Sequence, residues 1–251
     1  MSDIREKPQT ALQATLTSTR QSAFTKYQQM VIGRAGLWAF LKFEVLTGFL
    51  GGLPGAAGFL LRKIFFPGLL GACGRGVVFG RHVTLRHAHK IKIGNNCIID
   101  DYCVLDAKGD GNQGILIGDN VVLARNTVVS CKGGDITIGD NSNISLNCMI
   151  HSETKVEIGK NNLYAAYCYI IGGGKHSFDR TDVPIIQQES MSEGVIMEDN
   201  IWLGAAVKVL DGARVGHDAV IGTGSVVNKD IPPFSVAVGL PARVVRQRDS
   251  Q

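Results

Sequence analysis

The sequence predicts an all-β solenoid, a three-sided parallel β-helix, and three observations support this prediction. An aliphatic residue recurs every six positions in the second half, at Met197, Leu203, Val209, Val215, Ile221 and Val227. This period fits neither a helix nor an alternating strand, and it is typical of hexapeptide-repeat solenoids. The same period continues upstream in groups of three, and extra residues occur only between those groups.

Each group of three hexads is interpreted as one turn of the coil. The buried positions of the first four groups are Ile93, Ile99 and Leu105; Ile117, Leu123 and Val129; Ile138, Ile144 and Ile150; and Ile158, Tyr164 and Ile170. Because three hexads complete a turn, insertions at every third boundary must all project at one corner. The other corners carry turns such as Gly94-Asn95-Asn96, whose residues tolerate a left-handed backbone.

Composition limits the partners and the compartment. The chain has 251 residues, a formal charge of +4 and 31 glycines, which suit repeated turns. No dense basic stripe with interleaved aromatic residues is present, so we expect no nucleic-acid partner. Four of the 6 cysteines occupy the fifth hexad position and are interpreted as small core residues: Cys97, Cys103, Cys148 and Cys168. Unpaired buried cysteines suit the reducing cytoplasm.

The region before the solenoid has a different composition. We divide the chain into residues 1–72, an apolar helical appendage, and residues 73–251, the β-helix with its long loop 172–195 and C-terminal tail. The apolar stretch 37–72 is broken near Pro54 into two pieces, each shorter than the ~20 residues of a spanning helix. Two interpretations stay open: short helices in the membrane interface, giving a cytoplasmic protein peripheral to the membrane, or a cap on the solenoid.

The longest insertion carries a candidate general base. It runs from Gly172 to Val195 and contains His176. A long loop on a rigid scaffold is often functional, and a neutral histidine can take the proton of an attacking hydroxyl or amine. Asp179 is near enough in sequence to orient the imidazole, although the spacing does not require it.

Residues 79–246 resemble the hexapeptide acyltransferases. The match is most specific from Ile201 to Arg246, which is similar to the C-terminal signature of galactoside- and polysaccharide-type O-acetyltransferases, and at His176-Ser177-Phe178 followed by Pro184-Ile185. The resemblance implies a left-handed parallel β-helix and a homotrimer. It also implies an active site between subunits and acetyl-CoA as a co-substrate, with no tightly bound cofactor.

The resemblance also assigns roles to individual residues. His176 would be the general base for direct attack of a sugar or glycan hydroxyl on the thioester. The Ala205 amide would stabilise the oxyanion, in a position where the galactoside enzymes have serine. Residues matching the coenzyme-binding positions are Trp202, Gly204, Ala205, Thr223, Asn228, Lys229, Arg243 and Arg246. Asn147 and Glu153 match the acceptor-binding segment and are expected, with His151, on the corner between Ile150 and Ile158.

Other functions remain open at this point. An amino-sugar N-acetyltransferase would use the same mechanism, and the acceptor could be lipid-linked. A zinc-dependent, carbonic-anhydrase-like protein or a non-catalytic scaffold would also be a solenoid. Histidines that could serve a metal site are His82, His87, His89 and His151, although no recognisable ligand set is complete, and no metal ligand is assigned. Cys131 as a nucleophile has no nearby histidine in the sequence.

Overall fold

Three parallel sheets form the walls of a β-helix in the computed structural model, which describes residues 21–248. The polar residues 1–20 of the predicted appendage and residues 249–251 of the predicted tail lie outside the described residues. The chain runs from face A to face B to face C and back to face A in every turn.

The strands of face A are Ala72–Cys73, Ile91–Ile93, Ile115–Ile117, Asp135–Ile138, Lys155–Ile158, Val195–Met197 and Arg214–Val215. Those of face B are Val78–Phe79, Ile98–Ile99, Val122–Leu123, Asn143–Ile144, Leu163–Tyr164, Trp202–Leu203, Val220–Ile221 and Ser235–Gly239, with Ala242–Gln247 added antiparallel. Those of face C are Thr84–Arg86, Val104–Asp106, Val128–Cys131, Met149–Ser152, Tyr169–Gly172, Lys208–Val209 and Val226–Val227.

The hexapeptide period places one residue type at the same place in successive turns. Ile117, for example, pairs with Ile93 above it and with Ile138 below it, and all three are buried. The corner residues Asn96 and Asn120 have φ of 55° and 57°, and their side chains are joined by a 3.4 Å hydrogen bond. Two rows of side chains therefore run along the solenoid. The aliphatic row is buried inside, and the asparagine row lies outside at the corner.

Extra residues occur at one corner, as the sequence predicts. The links between strands of faces A and B, and of faces B and C, contain 4 residues each, whereas those from face C to face A contain 2 to 22. We call this third corner the insertion corner; its segments are 87–90, 107–114, 132–134, 153–154, 173–194 and 210–213. Short 3-10 helices lie in two of them, at Ala88–Lys90 and Ile185–Gln187.

Helices cover the first turn of the solenoid. They are α1 (Ala23–Tyr27), a π-helical turn (Gln28–Ile32), α2 (Leu37–Leu50), α3 (Gly55–Phe65) and a 3-10 turn (Phe66–Leu69). Phe66 is fully buried, with its ring 5.7 Å from that of Phe79. The buried Arg62 donates from Nε to the Phe79 carbonyl at 3.0 Å. One side of the apolar segment is therefore a cap, which is one of the two interpretations left open.

The opposite side of the same helices is apolar and exposed. On α2 the side chains of Trp38, Leu41, Val45 and Phe49 follow each other along one side, and Trp38 is 78% exposed. No helix within residues 21–248 is long and apolar enough to cross a membrane.

Candidate active site

The long loop at the insertion corner holds His176 on a short two-stranded stem. Lys175–His176 pairs antiparallel with Ser190–Met191, and the Ser177 N–H donates to the Glu189 carbonyl over 2.8 Å. The His176 side chain is exposed and makes no hydrogen bond within residues 21–248. Both ring nitrogens are therefore accessible, while the backbone that carries them is fixed by pairing.

Glu153 connects the two arms of this loop. Its carboxylate accepts hydrogen bonds from the Gly174 N–H at 2.8 Å and from the Ser192 hydroxyl at 3.4 Å, one on each arm. The Lys132 ammonium donates to the other oxygen at 2.8 Å. A Cβ built on Gly173, whose φ is 150°, would lie 2.5 Å from the Glu153 Cβ. Glycine is therefore required at the base of the loop.

The surroundings of Glu153 favour its ionised form. Burial alone would raise the pKa of this carboxyl, but the hydrogen bonds from Lys132 and from the Gly174 N–H outweigh it and hold the pKa below its ordinary value. All of these contacts are made by residues of the chain itself. The role of Glu153 in binding the sugar acceptor stays a prediction. Its contacts with both arms of the loop indicate that it also orders the loop.

Asn147 does not share a corner with Glu153, which corrects the sequence-based placement. It lies in the link between the strands Asn143–Ile144 and Met149–Ser152, at the corner between faces B and C, with φ of 57°. Six residues along the chain, at about 3.3 Å each, separate it from Glu153 by roughly 20 Å. The hexad count places Asn147 between Ile144 and Ile150, one corner earlier than the motif comparison suggested.

Four predicted coenzyme-binding residues lie together where face B meets face C. Trp202 points outward from face B and is 52% exposed. Gly204 follows in the turn, where an added Cβ would lie 2.6 Å from the backbone nitrogen of Thr223. The Ala205 carbonyl accepts from the Gly224 N–H at 2.8 Å, whereas the Ala205 N–H has no acceptor within the described chain.

The two predicted phosphate-binding arginines lie on the same face. Trp202, Val220, Val236 and Arg246 pair in succession across face B, so about 14 Å separates Trp202 from Arg246 at ~4.8 Å per strand. Arg243 lies on the same antiparallel strand and is exposed. An extended ligand lying across the strands would meet all of these residues in order.

Asn228 and Lys229 lie elsewhere, directly after the last strand of face C and at the same corner as the His176 loop. The width of face C therefore separates them and His176 from Ala205. At about 3.3 Å per residue, the path from Ala205 to Leu210 alone covers roughly 16 Å. A single chain thus holds the predicted base and the predicted oxyanion donor at different corners.

The other candidate functional residues from the sequence do not form a second reactive site in the described chain. Asp179 accepts a 3.3 Å hydrogen bond from the Ser177 hydroxyl and forms no hydrogen bond or ion pair with His176 within residues 21–248. Burial raises the pKa of the Cys131 thiol to about 12, so it is not an activated nucleophile. No group of three or more potential metal ligands occurs in the part of the chain that the structure describes. His82 stacks on Tyr102 with ring centroids 5.0 Å apart.

The sequence interpretation missed Lys132 and Ser192, which hold the Glu153 carboxylate. A signal was present, because Lys132, Glu153 and Gly174 are each 21 residues apart and all follow a strand of face C. Insertion-corner segments in successive turns must lie on top of one another, so this spacing predicts contact.

Comparison with known proteins was consistent with this architecture. No family model matches the chain. The protein of Mycobacterium tuberculosis (strain ATCC 25618 / H37Rv) named Probable acetyltransferase Rv3034c is 33% identical over 132 residues, 53% of this chain and 44% of that protein. The galactoside O-acetyltransferase of Escherichia coli K12 is 36% identical over 117 residues, 46% of this chain and 55% of that protein. The chain thus spans about half the length of these relatives.

A solved structure shares the fold. The polysialic acid O-acetyltransferase OatWY aligns with a TM-score of 0.55 at 24% identity, over 70% of this chain and 81% of that chain. The predicted fold class, a left-handed parallel β-helix with an N-terminal helical appendage and a long loop insertion, is confirmed. The predicted resemblance to acetyltransferases is confirmed as well.

Proposed function

We propose that this relative of the hexapeptide-repeat acetyltransferases is an acyl-CoA-dependent O-acyltransferase that uses acetyl-CoA to modify a sugar or glycan hydroxyl. The observation that carries the proposal is the exposed, unbonded imidazole of His176 on a paired stem, projecting from a rigid solenoid wall. A general base needs an accessible nitrogen and a fixed position, and this arrangement supports both.

The reaction follows from the chemistry of the two substrates. The neutral His176 ring nitrogen removes the proton from the acceptor hydroxyl as its oxygen attacks the thioester carbonyl. The tetrahedral intermediate then collapses, the C–S bond breaks, and the imidazolium returns its proton to the departing thiolate. The products are an acyl ester and free coenzyme A, with no covalent enzyme intermediate.

The Ala205 N–H is the proposed donor to the oxyanion. It has no acceptor within residues 21–248, and it lies in the turn beside Trp202 and Thr223. A free backbone N–H in a fixed turn supplies a preorganised donor at no cost in side-chain entropy. The coenzyme would then extend across face B, with its phosphates meeting Arg243 and Arg246.

The separation of His176 from Ala205 supports a site shared by two copies of the chain. We propose a homotrimer in which the loop of one copy reaches the corner between faces B and C of its neighbour. The loop suits a contact of this kind, because Phe178 and Met191 are 74% and 57% exposed. The neighbour's Asn147, at that same corner, would then lie near the acceptor. Asn228 and Lys229 would border the same cleft from the loop-bearing copy.

The exposed apolar side of α2 supports the membrane contact predicted for residues 37–72. Trp38 and Phe49 are 78% and 75% exposed, and Lys42 and Lys63 are exposed on the same helices. Aromatic side chains flanked by cations suit the interface of an anionic bilayer. We propose a cytoplasmic protein held at the inner membrane surface, where a lipid-linked acceptor would be accessible.

The base is tested by comparing His176→Asn with a matched histidine variant. Purified protein is incubated with acetyl-CoA and candidate glycans, and thiol release is measured. We expect His176→Asn to lose about 10²- to 10⁴-fold in kcat. His82→Asn is the control, because His82 has φ of 54°, which asparagine tolerates, and lies outside the site. Equal turnover of His176→Asn and wild type would falsify the assignment.

A further inference from the structure

A cavity lies at the insertion corner, closer to the N-terminal end of the solenoid than the His176 loop. It has a volume of about 560 Å³, is open to solvent on one side, and lies between the N-terminal segment 25–35 and the corner segments 87–90 and 108–110. That volume is typical of sites for small ligands and cofactors. None of the residues assigned to acyl transfer lines it.

The walls of this cavity are held in place by hydrogen bonds. The buried His87 bonds from its Nε2 to the Gln29 carbonyl at 2.9 Å, and its backbone N–H donates to the Val31 carbonyl at 2.9 Å. Gly33 lies so close to the imidazole that an added Cβ would be 2.7 Å from it. The Gln28 amide donates to the Gly36 carbonyl at 2.9 Å. The N-terminal segment is therefore fixed against the corner, and the cavity exists before any ligand binds.

The three cations that line the cavity form no salt bridge within residues 21–248. The Lys90 ammonium donates to the Gly109 carbonyl at 2.6 Å and to the Asn112 side-chain oxygen at 2.9 Å, both uncharged acceptors. Arg34 and Lys108 line the same cavity and form no salt bridge within residues 21–248. Asp110, on the rim, is a charged acid among the lining residues.

A second acid lies close by but is already paired. Asp106 forms a 3.7 Å ion pair with Arg86, and it also accepts a 3.1 Å hydrogen bond from the Lys108 backbone N–H. Among the described residues, the lining therefore carries three basic side chains and one acid, a net excess of positive charge. Such a site attracts a compact, multiply charged anion.

We propose that this cavity binds a phosphate or diphosphate group of the acceptor. This inference rests on the proposed function, because it names the chemical class of the molecule that the enzyme acylates. A phosphate offers several oxygens to the Arg34 guanidinium and the two ammonium groups at once. The cavity also lies on the same corner as the loop, three to four strand spacings away, or about 14 to 19 Å. An acceptor with its phosphate here can extend along the corner to His176.

The direct test is calorimetric titration with inorganic pyrophosphate of the full chain saturated with coenzyme A, so that Arg243 and Arg246 are already occupied. We expect saturable 1:1 binding, and we expect Arg34→Gln and Lys108→Met each to weaken it roughly tenfold, as for loss of a charged hydrogen bond. The matched control is Lys92→Met, since Lys92 is exposed on face A and does not line this cavity. Thermal melting of each variant checks that the fold is retained.

The source of the phosphate is decided by competition. If phosphatidic acid vesicles displace pyrophosphate from wild type and from Lys92→Met alike, the site takes a lipid-linked phosphate. If they displace it from neither protein, the site takes a soluble phosphate. Absence of saturable binding, or equal binding by wild type, Arg34→Gln and Lys108→Met, overturns the proposal. Because no turnover is measured, this result is independent of whether His176→Asn abolishes acyl transfer.

Discussion

Replacing Glu153 by alanine tests whether this carboxylate orders the loop that carries His176. The change removes the acceptor of the Gly174 N–H, at 2.8 Å, and of the Ser192 hydroxyl, at 3.4 Å, so the two arms of the loop lose their shared partner. It also removes the 2.8 Å contact with Lys132. The solenoid walls keep their backbone pairing, so the effect is expected in the loop.

The magnitude follows from the individual contacts. A hydrogen bond from a backbone N–H to a charged acceptor contributes about 1.5 to 3 kcal/mol. The Lys132 side chain is 66% exposed, so its ion pair adds only about 0 to 1 kcal/mol. We expect local destabilisation of about 2 to 4 kcal/mol, which raises the open population of the loop by roughly thirtyfold or more. Glu153→Gln keeps an acceptor for the Gly174 N–H, so its local destabilisation of the loop should be about half as large.

Hydrogen exchange of residues 173–194 measures this opening directly. In Glu153→Ala, exchange in this segment should accelerate while the strands of faces A, B and C remain protected. Because the base is then misplaced for every acceptor, kcat should fall whichever glycan is used. If exchange is unchanged and only the KM for the acceptor rises, Glu153 binds the sugar, and the loop-ordering role is wrong.

The same contacts give a pH dependence with a defined sign. The folded-state pKa of Glu153 lies below its unfolded value, because the bonds from Lys132 and Gly174 favour the carboxylate. The stabilisation is therefore present above the ordinary glutamate pKa of about 4.3 and is lost as the pH falls through the folded value. Loop exchange in the wild type should accelerate in that acidic range and approach that of Glu153→Ala.

Three further predictions concern the core, the shared site and the cap. Tyr164 is fully buried, and its hydroxyl has no hydrogen-bond partner in the described chain, so Tyr164→Phe should raise the unfolding free energy by about 1 kcal/mol in denaturant titration; a loss of stability would reveal a partner. In mixed trimers of His176→Asn and Arg246→Glu chains, about a quarter of the active sites should combine an intact His176 with an intact Arg246 of the neighbouring copy. If each site lay within one chain, no active site would be intact. Trp38→Ser with Phe49→Ser should abolish flotation with anionic vesicles, and unchanged flotation would contradict the membrane contact.

The solenoid could be predicted from the sequence because its repeat is local. Each hexad places one aliphatic residue inside, so Ile117 or Leu123 could be assigned to the core without knowledge of the rest of the chain. Insertions at every third boundary also fixed the corner of the long loop. The same count places Asn147 at the corner between faces B and C, whereas the motif comparison places it one corner too far along the chain.

The partners of the site residues could not be predicted in the same way. The Ser192 contact with Glu153 depends on the path of the long insertion 173–194, which follows no period. The cavity beside His87 depends on how segment 25–35 packs on the corner, and that segment has no repeat. Periodic sequence thus determines the scaffold, whereas the aperiodic segments determine the sites on it.

The positions of the cap, the cavity and the loop constrain where the acyl group is added. The apolar side of α2 lies at the first turn, the cationic cavity lies beside the first two turns, and His176 lies about 14 to 19 Å further along the axis. If the cap lies on the membrane and the cavity holds the phosphate of a lipid-linked glycan, the sugar attached to that phosphate lies too far from His176 to react. The modified hydroxyl must then belong to a more distal sugar. Acceptors shortened to the phosphate-bearing sugar should therefore bind the cavity but release no thiol, and their acylation would contradict this arrangement.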